Sequence, residues 1–183
     1  MKVNVAISQK PPVLLDLERS IEVTLAIIEE AAEKDTQLLV FPEAFLPGYP
    51  TWIWRLKPGG DMALGNEIHS RLRLNAVDIH NGGLDKICGA AKANSMVIVI
   101  GINEIDTEFS GSTLYNSVVV IDADGSIVNC HRKLMPTNPE RMVWGFGDAR
   151  GLQVVDTAVG RIGALICWEN YMPLVDIRCL HRI

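Results

Sequence analysis

Three residues of this chain have the types and placement for nucleophilic chemistry at an electrophilic carbon: Cys167, Glu43 and Lys133. Cys167 closes the apolar run Arg161-Ile162-Gly163-Ala164-Leu165-Ile166 and is followed at once by Trp168-Glu169-Asn170. Glu43 follows Leu38-Leu39-Val40-Phe41-Pro42, and Lys133 follows the run 126–130 with His131 and Arg132 between. A thiol becomes a strong nucleophile when a base takes its proton, and a nearby ammonium can stabilise charge developing on the substrate. A lone cysteine is more often an inert buried thiol. Here three polar groups each stand where an apolar run stops, which is where α/β folds keep their chemistry. Cys88, Cys130 and Cys179 have no such setting. His131 is expected on the strand face opposite Lys133 and is not taken as the base of the thiol. Glu169 is read as holding the turn behind Cys167 in preference to reacting.

Pro47-Gly48-Tyr49-Pro50-Thr51-Trp52-Ile53-Trp54 concentrates three aromatics in a chain that is only 6% aromatic. Tyr49, Trp52 and Trp54 read either as the apolar wall of a pocket beside Glu43 or as a satellite cluster that pins the loop. Gly145-Phe146-Gly147-Asp148 is a loop whose two glycines are too weak a signal for phosphate binding.

The elements that must position these groups follow from periodicity. Residues 3–7 form a short strand. The spacing of Ile21, Leu25, Ile28 and Ala32 over residues 15–34 gives a helix with one buried face, capped by Asp16, with Glu29, Glu30 and Glu33 on its solvated side. Residues 38–41 are a second strand, so the unit is strand, helix, parallel strand. A helix is expected at 62–75 and another at 84–93, then a buried strand at 96–101. Runs 115–121 and 126–130 pair as a hairpin around Asp122-Ala123-Asp124-Gly125, with glycine where a positive φ is wanted. Runs 152–156 and 161–166 form another hairpin, and the second run is expected to be a buried strand ending at Cys167. The whole reads as a mixed α/β sheet with helices on its face.

The 183 residues are 48% hydrophobic and 21% charged, with a net charge of -5, which suits one soluble domain over 1–183. Lysines and arginines are dispersed, so a nucleic-acid or anionic-membrane surface is not expected. No apolar run is long enough for a signal sequence or a bilayer span, and a cytoplasmic protein is expected. The four cysteines and four histidines lack the spacing of a disulfide framework or a metal site.

Taken with their neighbours, the three groups resemble something specific. Phe41-Pro42-Glu43-Ala44-Phe45 with Pro47-Gly48-Tyr49-Pro50, then His131-Arg132-Lys133-Leu134-Met135-Pro136-Thr137 with Glu140-Arg141, then Cys167-Trp168-Glu169-Asn170 are similar, in that order, to the motifs of the nitrilase superfamily of carbon-nitrogen hydrolases. The form of the last two motifs resembles the nitrilase branch. The resemblance implies an α-β-β-α sandwich with no metal and no organic cofactor. It implies Glu43 as general base, Cys167 as nucleophile, and Lys133 with the backbone N–H of Trp168 as stabilisers of charge, with Glu140 supporting Lys133. A small nitrile and water would be the partners, and the product a carboxylic acid and ammonia through a thioimidate and a thioester. A homo-oligomer is implied for the full-length form. An amidase or carbamoylase of the same superfamily is the alternative within enzymes. The family continues well past the nucleophile, whereas this chain has sixteen residues after Cys167, and 175–183 no longer resemble the family. The sandwich is therefore expected to be incomplete at the C-terminus. The alternative of another class is an inactive fragment acting as an interaction module on a full-length homologue. Leu174, Ile177, Leu180 and Ile183 recur every third residue, the pattern of a short amphipathic helix.

Overall fold

A computed structural model of the chain describes residues 2–57 and 59–175. Strand β1, Val5–Ile7, leads through helix α1, Leu17–Ala32, to strand β2, Leu38–Val40, and the two strands pair in parallel as expected. Helices α2, Met62–Leu74, and α3, Asp85–Ala93, precede the long strand β3, Val97–Ile105. β3 pairs in parallel with β2 and antiparallel with β4, Leu114–Ile121, and β4 pairs antiparallel with β5, Ile127–Arg132. The order β1-β2-β3-β4-β5 is that of a mixed sheet flanked by helices, the expected fold class. Gly125 takes a φ of +86° in the β4–β5 turn, as its place in that turn requires.

Asp16 caps α1 by accepting from the Arg19 N–H at 3.0 Å. The buried row of α1 is nevertheless Ser20, Thr24, Ile27, Ile28 and Ala31, with Ile21, Leu25 and Ala32 only flanking it. A reading by hydropathy misses this row because its two hydroxyls satisfy themselves locally. Ser20 Oγ donates to the Val13 carbonyl at 2.8 Å and Thr24 Oγ1 to the Ser20 carbonyl at 2.7 Å.

One face of the sheet packs Ile98, Ile100, Ile102, Val119 and Ile121 against α1 and α3. The other face carries polar groups, and β5 decides which. Asn129, His131 and Lys133 are all buried on that face, while Cys130 and Arg132 turn the other way to Glu104. His131 thus shares its face with Lys133, contrary to expectation, because residues two apart on a strand point the same way. β3 runs four residues further than expected because its polar members are satisfied. Asn103 Nδ2 donates to the carbonyls of Leu46 and Gly48 at 3.1 and 3.0 Å, and Glu104 receives Arg132.

Strands β6, Val154–Thr157, and β7, Gly160–Gly163, form a separate antiparallel ribbon. The apolar run before Cys167 is therefore not a buried strand reaching the cysteine. β7 stops at Gly163 and is largely exposed, and among the described residues it pairs only with β6, through the tight turn at Gly160 (φ +117°). The edge of the five-stranded sheet leaves Val5 and Ile7 56% and 71% exposed. Among the described residues, no helix is long and apolar enough to cross a membrane. The helix expected around Leu174 to Ile183 lies, beyond Val175, outside the described residues.

Candidate active site

Glu43 leaves the C-terminal end of β2 in a sharp turn, with Ala44 at a φ of +50°. The turn is held onto β3: Leu46 N–H donates to the Gly101 carbonyl at 3.1 Å and Asn103 N–H to the Leu46 carbonyl at 2.7 Å. This contact is close enough to demand glycine at 101. A Cβ there would stand 2.4 Å from the Pro42 carbonyl oxygen, 2.6 Å from the Ala44 nitrogen and 2.8 Å from Glu43 Cα. Gly101→Ala should therefore push the Glu43 turn off the sheet, with a loss of about 1–3 kcal/mol in urea denaturation, as for other overpacked sites. Unchanged stability would mean that the turn moves freely.

Lys133, 1% exposed, follows β5 and lies between two carboxylates. Its Nζ donates to Glu43 Oε1 at 2.9 Å and to Glu140 Oε2 at 2.8 Å. Burial works to lower the Lys133 pKa, but the hydrogen bonds to Glu140 and Glu43 outweigh it, and the net direction is upward. The group is an ammonium, a donor and not a base. Glu140 is fixed by a capping box with Thr137 that opens the short 3₁₀ helix Asn138–Met142, its Oε2 accepting from the Thr137 N–H at 2.7 Å. Its Oε1 accepts from the Tyr49 hydroxyl at 2.6 Å, and Trp54 Nε1 donates to that hydroxyl at 3.1 Å. Asn116, on β4, donates from Nδ2 to Glu43 Oε1 at 2.6 Å. A continuous chain of hydrogen bonds thus runs from Trp54 through Tyr49, Glu140, Lys133 and Glu43 to Asn116.

Cys167 is exposed at the start of the 3₁₀ helix Cys167–Tyr171, with its backbone in the left-handed region at φ +56°. It shares a cavity of about 470 Å3 with Glu43 and Asn116, roofed by Ile162 to Ile166 and floored by Val99 and Val118 of the sheet face away from the helices. Lys133 is joined to Glu43 but does not line this cavity. Trp168, the next residue, is 60% exposed, its ring packed against that of Tyr171 with centroids 5.2 Å apart. Of the other described thiols, burial pushes Cys130 up to about 12 and Cys88 above its ordinary value. Neither has the setting of a nucleophile.

The three aromatics of the 49–54 loop do not line the cavity of Cys167. Tyr49 packs edge-on against Trp144, with centroids 5.5 Å apart, and aims its hydroxyl at Glu140. Trp52 lines a second cavity of about 240 Å3 with Ile53, His69 and Met142. Sequence reasoning passed over Asn116 altogether. Its signal was there, an amide in the strand Leu114–Ile121, which is otherwise mostly apolar.

A base and a thiol on one cavity, with an ammonium bound to the base, can deprotonate the thiol, hold a covalent intermediate and activate water. Comparison with known proteins identifies the family. Residues 4–179 match the family model described as carbon-nitrogen hydrolase. An arylacetonitrilase of Aspergillus oryzae is 39% identical over 183 residues, which is 99% of this chain and 52% of that protein. A nitrilase of Bacillus sp. strain OxB-1 is 37% identical over 94% of this chain and 48% of that protein. The chain spans about half the length of the curated relatives it matches. Among solved structures, a carbon-nitrogen hydrolase from Helicobacter pylori G27 superposes with a TM-score of 0.69 at 22% identity, over 98% of this chain and 57% of that one. A double mutant of the amidase from Nesterenkonia sp. AN1, in complex with acrylamide, gives 0.70 at 13% identity, over 98% and 61%. At those identities the two structures speak for the fold.

Proposed function

The chain belongs to the carbon-nitrogen hydrolase family, and on that premise we propose that its site hydrolyses a nitrile to a carboxylic acid and ammonia. The observation that carries the reading is the buried Lys133 ammonium held between Glu43 and Glu140, with Glu43 opening onto the same cavity as Cys167. A neutral nitrile is a sluggish electrophile, so both an activated thiolate and a donor toward its nitrogen are needed.

Glu43 takes the thiol proton, and Cys167 Sγ bonds to the nitrile carbon. The nitrogen takes up that proton from Glu43, giving a thioimidate and returning the carboxylate. Water, activated by Glu43, adds to that carbon, and ammonia leaves to give a thioester. A second water cleaves the thioester, releasing the carboxylic acid and returning the thiol. Lys133, which stands behind Glu43 at the edge of the cavity, supplies with the N–H of Trp168 the positive charge that offsets the charge building on nitrogen and then on oxygen. Glu140, fixed by Tyr49 and Thr137, keeps Lys133 in place. The nitrilase names of the relatives favour nitriles over amides within the family.

The test is ammonia and acid release by purified chain of confirmed mass from phenylacetonitrile, butyronitrile and their two amides. Turnover of a nitrile to acid is the expected result. Turnover of amides alone would make the protein an amidase. The exposed apolar edge at Val5 and Ile7 favours one other reading, a fragment that docks on a longer homologue and lacks activity by itself. No turnover of any of the four compounds, recovered on mixing with such a homologue, would support it.

A further inference from the structure

Near the nucleophile lies a pair of fully buried side chains whose hydrogen bonds go to none of Glu43, Lys133 and Glu140. Glu169 and His131 are both 0% exposed, with His131 Nε2 at 2.9 and 3.1 Å from the two carboxylate oxygens. The carboxylate does more than bind the imidazole. Its Oε1 accepts from the Leu134 N–H and its Oε2 from the Ile166 N–H, both at 2.8 Å. Leu134 is the residue after Lys133, and Ile166 the residue before Cys167. One carboxylate therefore grips the main chain one residue away from the electrophilic group and one residue away from the nucleophile. No shared strand does this, because β7 ends at Gly163 and does not pair with β5.

We propose that Glu169, oriented by His131, is a positioning residue that sets the placement of Cys167 relative to Lys133. This deepens the nitrilase reading above and rests on it for the roles of those two residues. The protonation fits. Burial pushes the Glu169 carboxyl up, yet the bonds from His131, Leu134 N–H and Ile166 N–H outweigh it and hold the group below its ordinary value. A carboxylate has acceptor capacity for all three donors at once, which an amide or a hydroxyl lacks. The imidazole must then present a proton at Nε2. The clamp also keeps the Cys167 backbone in its left-handed turn, since Ile166 is the N-cap of the helix that Cys167 opens.

Glu169→Gln keeps the shape but sets an NH2 group against a backbone N–H. His131→Asn removes the orienting ring and leaves the carboxylate. Glu104→Gln is the control, since Glu104 is also a buried carboxylate with a charged partner, the half-buried Arg132, on the opposite sheet face. The readouts are alkylation of Cys167 by iodoacetamide, followed on its peptide, nitrile turnover, and thermal unfolding. In folded Glu169→Gln, displacement of the nucleophile should lower kcat roughly 30-fold or more, with KM within about threefold, because the clamp touches no substrate. Cys167 alkylation should slow about tenfold in that variant and less in His131→Asn, as the thiol leaves its activating surroundings. Glu104→Gln should lose stability and keep the parental alkylation rate. Parental alkylation in a folded Glu169→Gln would overturn the proposal. If that variant does not fold, a folded His131→Asn decides in the same way, and failure of both to fold would assign the pair to the fold alone and also overturn it. A parent chain that hydrolyses no nitrile would remove the functional reading, while alkylation would still measure the clamp.

Discussion

Cys167→Ala is expected to abolish nitrile turnover, by a factor on the order of 10^4 or more, as removal of a covalent nucleophile does. Cys88→Ala should keep turnover within about twofold, in line with substitutions remote from the chemistry. The contrast rests on position. Cys167 shares its cavity with Glu43, whereas Cys88 lies on α3, on the far side of the sheet, with its thiol pushed up by burial. Cys130 packs against Glu104 and is held protonated by its burial. The substitution at 167 leaves the buried core untouched, so unfolding should stay cooperative and the loss can be assigned to chemistry. Turnover in Cys167→Ala above the blank, in a preparation whose parent is active, would sink the assignment of the nucleophile.

The second large effect is at Lys133. Removing the ammonium leaves Glu140, 3% exposed, with an acceptor oxygen facing no cation. Breaking a buried ion pair on one side typically costs about 3–5 kcal/mol, and Lys133→Ala should approach that range in urea denaturation. Turnover should fall by about 100-fold or more, the usual consequence of losing one donor to a developing charge. Lys133→Arg should be nearly as damaging. The ammonium reaches two oxygens at 2.9 and 2.8 Å from one point, and a planar fork with fixed angles cannot occupy that point. Arginine at 133 with most of the parental rate would mean that charge alone suffices and that the compact geometry carries no catalytic weight.

The chemistry was more legible in the sequence than the packing. Glu43 and Lys133 were found because each follows an apolar run, and Glu140 only through the family resemblance; the structure joins the three within hydrogen-bonding distance. The setting of Cys167 was misread. Its apolar run looks like a buried strand, and only the partner set, β6 alone among the described residues, decides otherwise. Asn116 and the Tyr49 hydroxyl escaped because their meaning comes from partners 73 and 91 residues away, which no local pattern encodes. The face of His131 was legible and was miscounted, since alternation alone places 131 with 133. The buried row of α1 was hidden for a different reason. Serine and threonine count as polar in any pattern until their local hydrogen bonds are known.

The left-handed backbone at Cys167, φ +56°, restricts which nucleophiles this scaffold could ever adopt. In that region the Cβ already crowds the main chain, and a second heavy atom on it makes the conformation a true outlier. Serine carries one γ atom, as cysteine does, and fits the turn. Threonine carries two and does not. Under the roles proposed above, sulfur can be exchanged for a primary hydroxyl on this turn by a single substitution, but a secondary hydroxyl is closed to it by shape.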